Sequence, residues 1–311
     1  YCIHISKNII IFVTNMRKLK LALLSALLLA FSWPEIGFIP LLFVGFIPLL
    51  ILEKQTQSGK SVFCYSFFSF FIFNGITTYW VYHATLFGSI VAFFVNATLM
   101  ATAFWLFHKI KKATNNRLGY LSLVVVWISM EYLHLNWDLS WPWLTLGNGF
   151  ATSPSIVQWY EFTGFLGGSL WVLIVNLLLF NLYLSEDKAK DLMLPLLVVL
   201  LPMLVSYHIY LDFESNHDNT ISVVIVQPNV DPYTDKFSIG HEQQLADFIA
   251  LAKTELTQET KLLIGPETAL LEGIWENKLE ATYSVRKFRE LQKEFPKLNV
   301  IVGASTYKMF G

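Results

Sequence analysis

Asp212-Phe213-Glu214-Ser215-Asn216-His217-Asp218-Asn219 is a polar stretch with a single apolar member, and it divides the chain. Residues 1–211 hold 20 of the 45 acidic and basic residues, and residues 212–311 hold the other 25 in less than half that length. The first part therefore reads as membrane-embedded and the second as a water-soluble domain. The whole chain agrees. Only 14% of its 311 residues are charged, whereas 54% are hydrophobic and 16% aromatic. A soluble domain carries about 25% charged residues. The mean hydropathy of +0.50 is too apolar for a soluble enzyme of this size. Disorder is excluded by the apolar and aromatic content. Two cysteines, Cys2 and Cys64, make no disulfide scaffold. A net charge of −1 leaves no basic footprint for nucleic acid.

Working back from the divide, seven apolar segments are predicted, over about 19–33, 36–52, 62–80, 86–107, 118–134, 164–184 and 191–211. A span needs about 20 mainly apolar residues. The first segment alone could be a signal peptide, but further spans follow it and no A-x-A-like cleavage site appears. Residue 1 is Tyr, and Met16-Arg17-Lys18-Leu19-Lys20 reads as a natural beginning. Residues 1–15 are thus expected to be an upstream extension and 16–211 a transmembrane domain. The chain stops at Gly311 just after a predicted strand, so 212–311 are expected to be part of a domain cut at its C-terminus.

Loop charges predict the orientation. Arg17, Lys18 and Lys20 precede the first segment. Lys54 and Lys60 follow the second, Lys109, Lys111, Lys112 and Arg117 the fourth, and Lys188 and Lys190 the sixth. The connections after segments one, three and five contain no Lys or Arg. By the positive-inside rule the N-terminus is cytoplasmic, and seven crossings put residues 212–311 outside. The longest outer connection, about 135–163, carries Trp137, Trp141, Trp143, Trp159 and Tyr160. These fit an interfacial aromatic belt. The loop is also long for a mere connection, which favours a lipid-handling site. Asn74, Asn96, Asn176 and Asn181 are expected to hydrogen-bond between helices. Glu131, near the outer end of segment five, should be paired or face a polar cavity.

Beyond the divide the pattern alternates. Ile221–Gln227 is a β-branched run ended by Pro228-Asn229. Leu245, Phe248, Ile249, Ala252 and Leu256 repeat at helical spacing over 241–258. Leu262-Leu263-Ile264 is a second strand, 277–295 a second helix, and 299–302 a third strand. This βαβαβ order predicts an α/β domain. Glu267 follows Gly265-Pro266 at the C-terminal end of the second strand, where open α/β sheets place ligands. A carboxylate there could accept a proton from a nucleophile or leaving group. An N-cap or a surface turn residue would look the same in sequence.

Gly265-Pro266-Glu267-Thr268-Ala269-Leu270 resembles the strand-Pro-Glu motif of the nitrilase, or carbon-nitrogen hydrolase, superfamily. Val224–Val230 resembles that fold's opening strand. Ala30-Phe31-Ser32-Trp33-Pro34, Tyr79-Trp80-Val81-Tyr82, Trp141–Gly147 and Gly164–Ser169 resemble the apolipoprotein N-acyltransferase branch. The likeness covers about residues 17–311. It implies a polytopic α-helical membrane domain of about seven spans, followed by an incomplete α/β nitrilase-like domain of the αββα sandwich type. An eighth span would follow that domain. It further implies transfer of a fatty acyl chain from a phospholipid to the α-amino group of diacylglyceryl-cysteine on lipoproteins, through a cysteine thioester. By motif match Glu267 is the general base. The family's Lys and Cys fall beyond Gly311, and Lys278, Lys308, Cys2 and Cys64 do not match them. A chain ending at Gly311 is therefore expected not to transfer acyl groups by itself. Trp143 and Phe237 are candidate substrate contacts, Phe237 standing where the family commonly has Trp. Gly265 stands where the family often has Trp, which predicts extra space beside the base.

The resemblance places the protein in a bacterial inner membrane, with the nitrilase-like domain periplasmic. No cofactor is implied, and no His/Cys/Asp cluster has metal-ligand spacing. Two other readings remain. A membrane-tethered nitrilase-type amidase would need neither the aromatic outer loop nor seven spans. A transporter with an extracellular accessory domain should show internal repeats or broken midplane helices with paired ionisable groups.

Overall fold

The computed structural model describes residues 2–34, 36–213, 220–231, 235 and 238–309, with residues 2–12 as backbone only. The chain divides into two compact units, Tyr1–Glu214 and Ser215–Gly311. The first unit is helical. Its helices are α1 (Cys2–Ser32), α2 (Ile47–Lys54), α3 (Gly59–Thr77), α4 (Leu86–Ala113), α5 (Asn116–Leu135), α6 (Tyr160–Leu184), α7 (Lys188–Asp191) and α8 (Met193–Asp212). Polar side chains start several of them. Ser58 accepts from Ser61 N–H, Thr85 from Gly88 N–H and Asn115 from Leu118 N–H, each satisfying a donor that the helix leaves unpaired.

Among the described residues, four helical stretches are long and apolar enough to cross a membrane: Leu86–Ala113, Asn116–Leu135, Tyr160–Leu184 and Lys188–Asp212. They match the last four predicted segments. The second predicted segment, 36–52, is not the single helix expected. Ile39–Phe43 is a 3-10 turn and α2 starts afresh at Ile47. Pro40 and Pro48 each fall in the first turn of their helix, the place where a missing N–H is tolerated. A continuous helix would have put both in its interior.

Asn176 of α6 closes this break. Its Nδ2 donates to Leu42 O and its Oδ1 accepts from Phe46 N–H, both at 2.9 Å. The side chain thus satisfies backbone groups on either side of the interruption, which would be costly to leave bare inside a bilayer. Asn74 and Asn96 meet as expected, with Asn96 Nδ2 donating to Asn74 Oδ1 across α3 and α4 at 2.7 Å. Asn181 is exposed. Around these polar points the core is aromatic. Trp127 meets Phe46 and Phe70 at ring distances of 4.8 and 5.4 Å, and all three are fully buried.

The second unit contains β1 (Ser222–Ile225), α9 (His241–Lys253), β2 (Thr260–Ile264), β3 (Leu270–Trp275), α10 (Tyr283–Glu294), β4 (Asn299–Ile301) and β5 (Ala304–Tyr307). The three predicted strands form one parallel sheet in the order β1-β2-β4. A second parallel pair, β3-β5, was not foreseen. The predicted helix over 277–295 is a 3-10 turn, Glu276–Ala281, followed by α10. Leu245, Phe248 and Ala252 of α9 and Phe288 and Leu291 of α10 share one buried cluster with Leu263 and Ile274 from the strands.

Glu272 on β3 anchors the start of α10. Its carboxylate accepts from Tyr283 N–H, Ser284 N–H and Ser284 Oγ–H at 3.1, 2.9 and 2.6 Å. Burial pushes its carboxyl up, but the hydrogen bonds from Ser284 and Tyr283 and the nearby His241 outweigh that and hold it below the ordinary glutamate range. A depressed folded value means that the stability this group contributes is full above the ordinary value of 4.5 and is lost as pH falls through the folded one. Glu272→Ala is expected to cost about 0.5–2 kcal/mol, as loss of a helix cap does. Denaturant melts should show that difference at neutral pH and see it shrink below about pH 4.

Candidate functional site

Glu267 lies where the chain leaves one sheet for the other. β2 ends at Ile264 and β3 begins at Leu270, and beside them β4 ends at Ile301 and β5 begins at Ala304. The two neighbouring strands cross together. Gly265 N–H donates to Ile301 O at 2.9 Å, Gly303 N–H to Pro266 O at 3.0 Å, and Leu270 N–H to Gly303 O at 3.1 Å. These bonds hold the Pro266-Glu267 turn from both sides. Pro266 has no N–H to satisfy and a restricted φ.

Gly303 makes the crossing possible. A Cβ there would stand 1.5 Å from Glu267 O and 2.1 Å from Glu267 C. Only glycine lets the two backbones approach so closely. Gly265 differs from its expectation. A Cβ at this position would come within 2.9 Å of the Phe248 ring and of Val302 Cγ1, so the space beside the Glu267 turn is already filled. Phe248 of α9 occupies it.

The Glu267 side chain is exposed, and its carboxylate makes no hydrogen bond among the described residues. Next to the turn lies a polar cleft of about 180 Å³, lined by Gln227, Asn229, Gln244, Pro266 and Thr268 among others. It sits at the C-terminal ends of β1 and β2, the usual ligand position in an open parallel sheet. Asn229 adopts a left-handed φ of 53° there, a conformation Asn tolerates better than most side chains. Phe237 lies outside the described residues.

In the first unit, the connection between α5 and α6 is built from three short 3-10 turns, Pro142–Leu144, Leu146–Phe150 and Pro154–Ile156. Glu131 of α5 holds it. Its Oε1 accepts from Leu146 N–H at 2.9 Å and from Trp127 Nε1–H at 3.0 Å. Ser169 Oγ accepts from Gly147 N–H at 3.0 Å, and its hydroxyl also bears on the Glu131 carboxylate. Tyr160 Oη–H donates to Gly147 O at 2.9 Å. A Cβ on Gly147 would collide with the Phe165 carbonyl of α6, and one on Gly168 of α6 with the Tyr160 hydroxyl and with Gly147 Cα, so neither position has room for a side chain. The connection is thus docked on α5 and α6.

Trp143 projects from this docked segment. It is 47% exposed and meets Trp80 and Trp141 edge to face at 5.2 and 4.6 Å. A groove of about 490 Å³ runs between α4 and α5, lined by Leu99, Leu106, Val125 and Leu133, with His134 and Trp137 at its α5 end. Its lining is mostly apolar.

Residues 25–178 match the family described as Apolipoprotein N-acyltransferase N-terminal domain. The chain is 31% identical over 261 residues to a protein named apolipoprotein N-acyltransferase from Chlorobaculum tepidum, covering 80% of this chain and 49% of that one. It is 24% identical to a protein of the same name from Geobacter metallireducens, over 81% of this chain and 51% of the relative. A third of that name, from Rickettsia prowazekii, is 26% identical with the same coverage of both. The chain spans about half the length of the curated relatives it matches.

Proposed function

We propose that this chain, which over residues 25–178 belongs to the apolipoprotein N-acyltransferase N-terminal domain family, is part of an enzyme of lipoprotein maturation. That enzyme moves a fatty acyl chain from a membrane phospholipid to the α-amino group of diacylglyceryl-cysteine on a lipoprotein. The observation that carries the reading is Glu267, whose backbone is held at a strand crossing and whose exposed carboxylate has no hydrogen bond among the described residues, with its chain neighbours Pro266 and Thr268 lining a polar cleft. The likeness to proteins of that name supports it.

In the proposed reaction Glu267 takes the proton of a cysteine thiol. The thiolate attacks the phospholipid ester carbonyl, the thioester forms, and Glu267 hands its proton to the departing oxygen, so that lysophospholipid leaves as the alcohol and the carboxylate is restored. The lipoprotein amine then attacks the thioester, Glu267 relays its proton, and the thiolate is released as the amide forms. The thiolate is the attacking species, and a free thiol has a pKa of about 8.5, so a nearby base raises its supply at neutral pH. Neither Cys2 nor Cys64 is assigned that role. The α4/α5 groove and the exposed Trp143 support a lipid-handling membrane part.

The test is acyl transfer by the full-length protein in phospholipid vesicles, with a synthetic diacylglyceryl-cysteine peptide as acceptor. An acylated amine is expected, and transfer to a small amide substrate instead would favour hydrolase chemistry. Gly303→Ala must push the Glu267 backbone away, since its Cβ would stand 1.5 Å from Glu267 O. A displacement of about 1 Å can cost about 10²-fold in rate, and that loss of transfer is expected here. Topology follows from the Lys and Arg pattern: residues 212–311 outside, Lys54, Lys111 and Lys188 inside. Impermeant thiol reagents on intact cells should label Ser215→Cys and not Ser185→Cys. The reverse pattern would invert the orientation.

A further inference from the structure

Of seven buried side-chain polar atoms in the first unit with no hydrogen-bond partner among the described residues, three belong to residues that line one small cavity. They are Glu131 Oε2, His134 Nε2 and Trp141 Nε1. The cavity measures about 10 Å³. That is the space for about one water molecule, and leaving three such groups dry would cost about 1–3 kcal/mol each.

The donor and acceptor pattern is set by the neighbours. Trp141 Nε1 can only donate. His134 Nδ1 accepts from Trp137 Nε1–H at 2.8 Å, so the proton of the neutral ring is on Nε2, which donates. Glu131 Oε1 is already engaged by Trp127 and Leu146, and the Ser169 hydroxyl bears on the same carboxylate, while Oε2 has no hydrogen-bond partner among the described residues and is left to accept. Two donors and one acceptor facing a one-molecule space suit a group with two lone pairs and a proton. They do not suit a cation, which both N–H groups would repel.

We infer that Glu131, His134 and Trp141 form a binding site for a single water molecule, which accepts from Trp141 Nε1 and His134 Nε2 and donates to Glu131 Oε2. The water joins the start of the α5–α6 connection to two turns of α5, while Leu146 is tied to the same carboxylate directly. Trp143 stands between these two anchor points in sequence, so the site positions it. This inference is independent of the acyl-transfer reading.

The test is a high-resolution density map of the full-length protein in a lipid nanodisc. One solvent peak is expected within about 2.7–3.2 Å of all three atoms. No peak, or a His134 ring turned to bond Glu131 directly, would overturn the inference. Trp141→Phe, which keeps the ring and removes the donor, should lower the melting temperature by about 2–4 °C. Combined with Glu131→Gln its effect should be non-additive, because both act through one water. Strict additivity of two folded variants would count against the shared site. If Glu131→Gln fails to fold, the map of the wild type decides alone.

Discussion

Glu267→Gln in the full-length protein is expected to lower acyl transfer by about 10²–10⁴-fold, the usual worth of general-base assistance. That is roughly 2.7–5.4 kcal/mol of barrier. The amide keeps the shape of the carboxylate but cannot take a proton from a thiol. Stability should hardly change, because the side chain is exposed and bonds to nothing among the described residues. Exposed substitutions of this kind fall within about 0.5 kcal/mol of neutral. Transfer rates compared at equal amounts of inserted protein check this. A turn residue with only a structural role would give the opposite result, near-normal rates with a modest loss of stability.

Glu53→Ala is expected to destabilise the membrane unit by about 3 kcal/mol. Glu53 of α2 bonds His108 Nδ1 at 2.9 Å and pairs with Lys111, both on α4. Glu53 is 5% and Lys111 11% exposed, so removing the carboxylate leaves a nearly buried ammonium without its counter-charge. The Tyr120 ring under Lys111 Nζ, at 4.7 Å, compensates only in part. The slight exposure of Lys111 lets it turn toward water, which keeps the loss at the low end of the range for broken buried pairs. Glu53→Gln retains one acceptor oxygen, where the carboxylate gave one each to His108 and Lys111, and should lose less than Glu53→Ala. Thermal unfolding in detergent or nanodiscs checks the order wild type, Gln, Ala.

Much of the membrane unit could be read from hydropathy alone, because a long apolar helix needs little context. The four stretches from Leu86 onward are of that kind. The 36–52 segment failed for a definite reason. Mean hydropathy is blind to Pro40 and Pro48, and a broken helix is tolerable only where another side chain, here Asn176, meets the freed backbone groups. The sequence marks Asn176 as a hydrogen-bonding residue between helices, but its partner Phe46 lies 130 residues away, which the sequence does not show.

In the second unit, β1, β2 and β4 were legible as β-branched runs. β3 and β5 were not. Leu270–Trp275 contains Glu272 and Gly273, and Ala304–Tyr307 is a short, mostly polar run, so neither shows the apolar alternation of a strand. Yet that second sheet is what fixes the Glu267 turn. Gly303 at a strand end was the available signal, since a glycine there often marks close backbone approach. The space expected beside Gly265 was misjudged because Phe248, on a helix distant in sequence, fills it. The role of Glu272 at α10 was equally hidden, as its partners are 11 and 12 residues on.

The most direct measurement uses full-length wild type and Glu267→Gln, each incubated with phospholipid labelled in its acyl chain and no lipoprotein acceptor, with label on the protein followed over time. The account predicts a hydroxylamine-sensitive label on the wild type and almost none on Glu267→Gln at equal expression. Label accumulating on Glu267→Gln at the wild-type rate would contradict it.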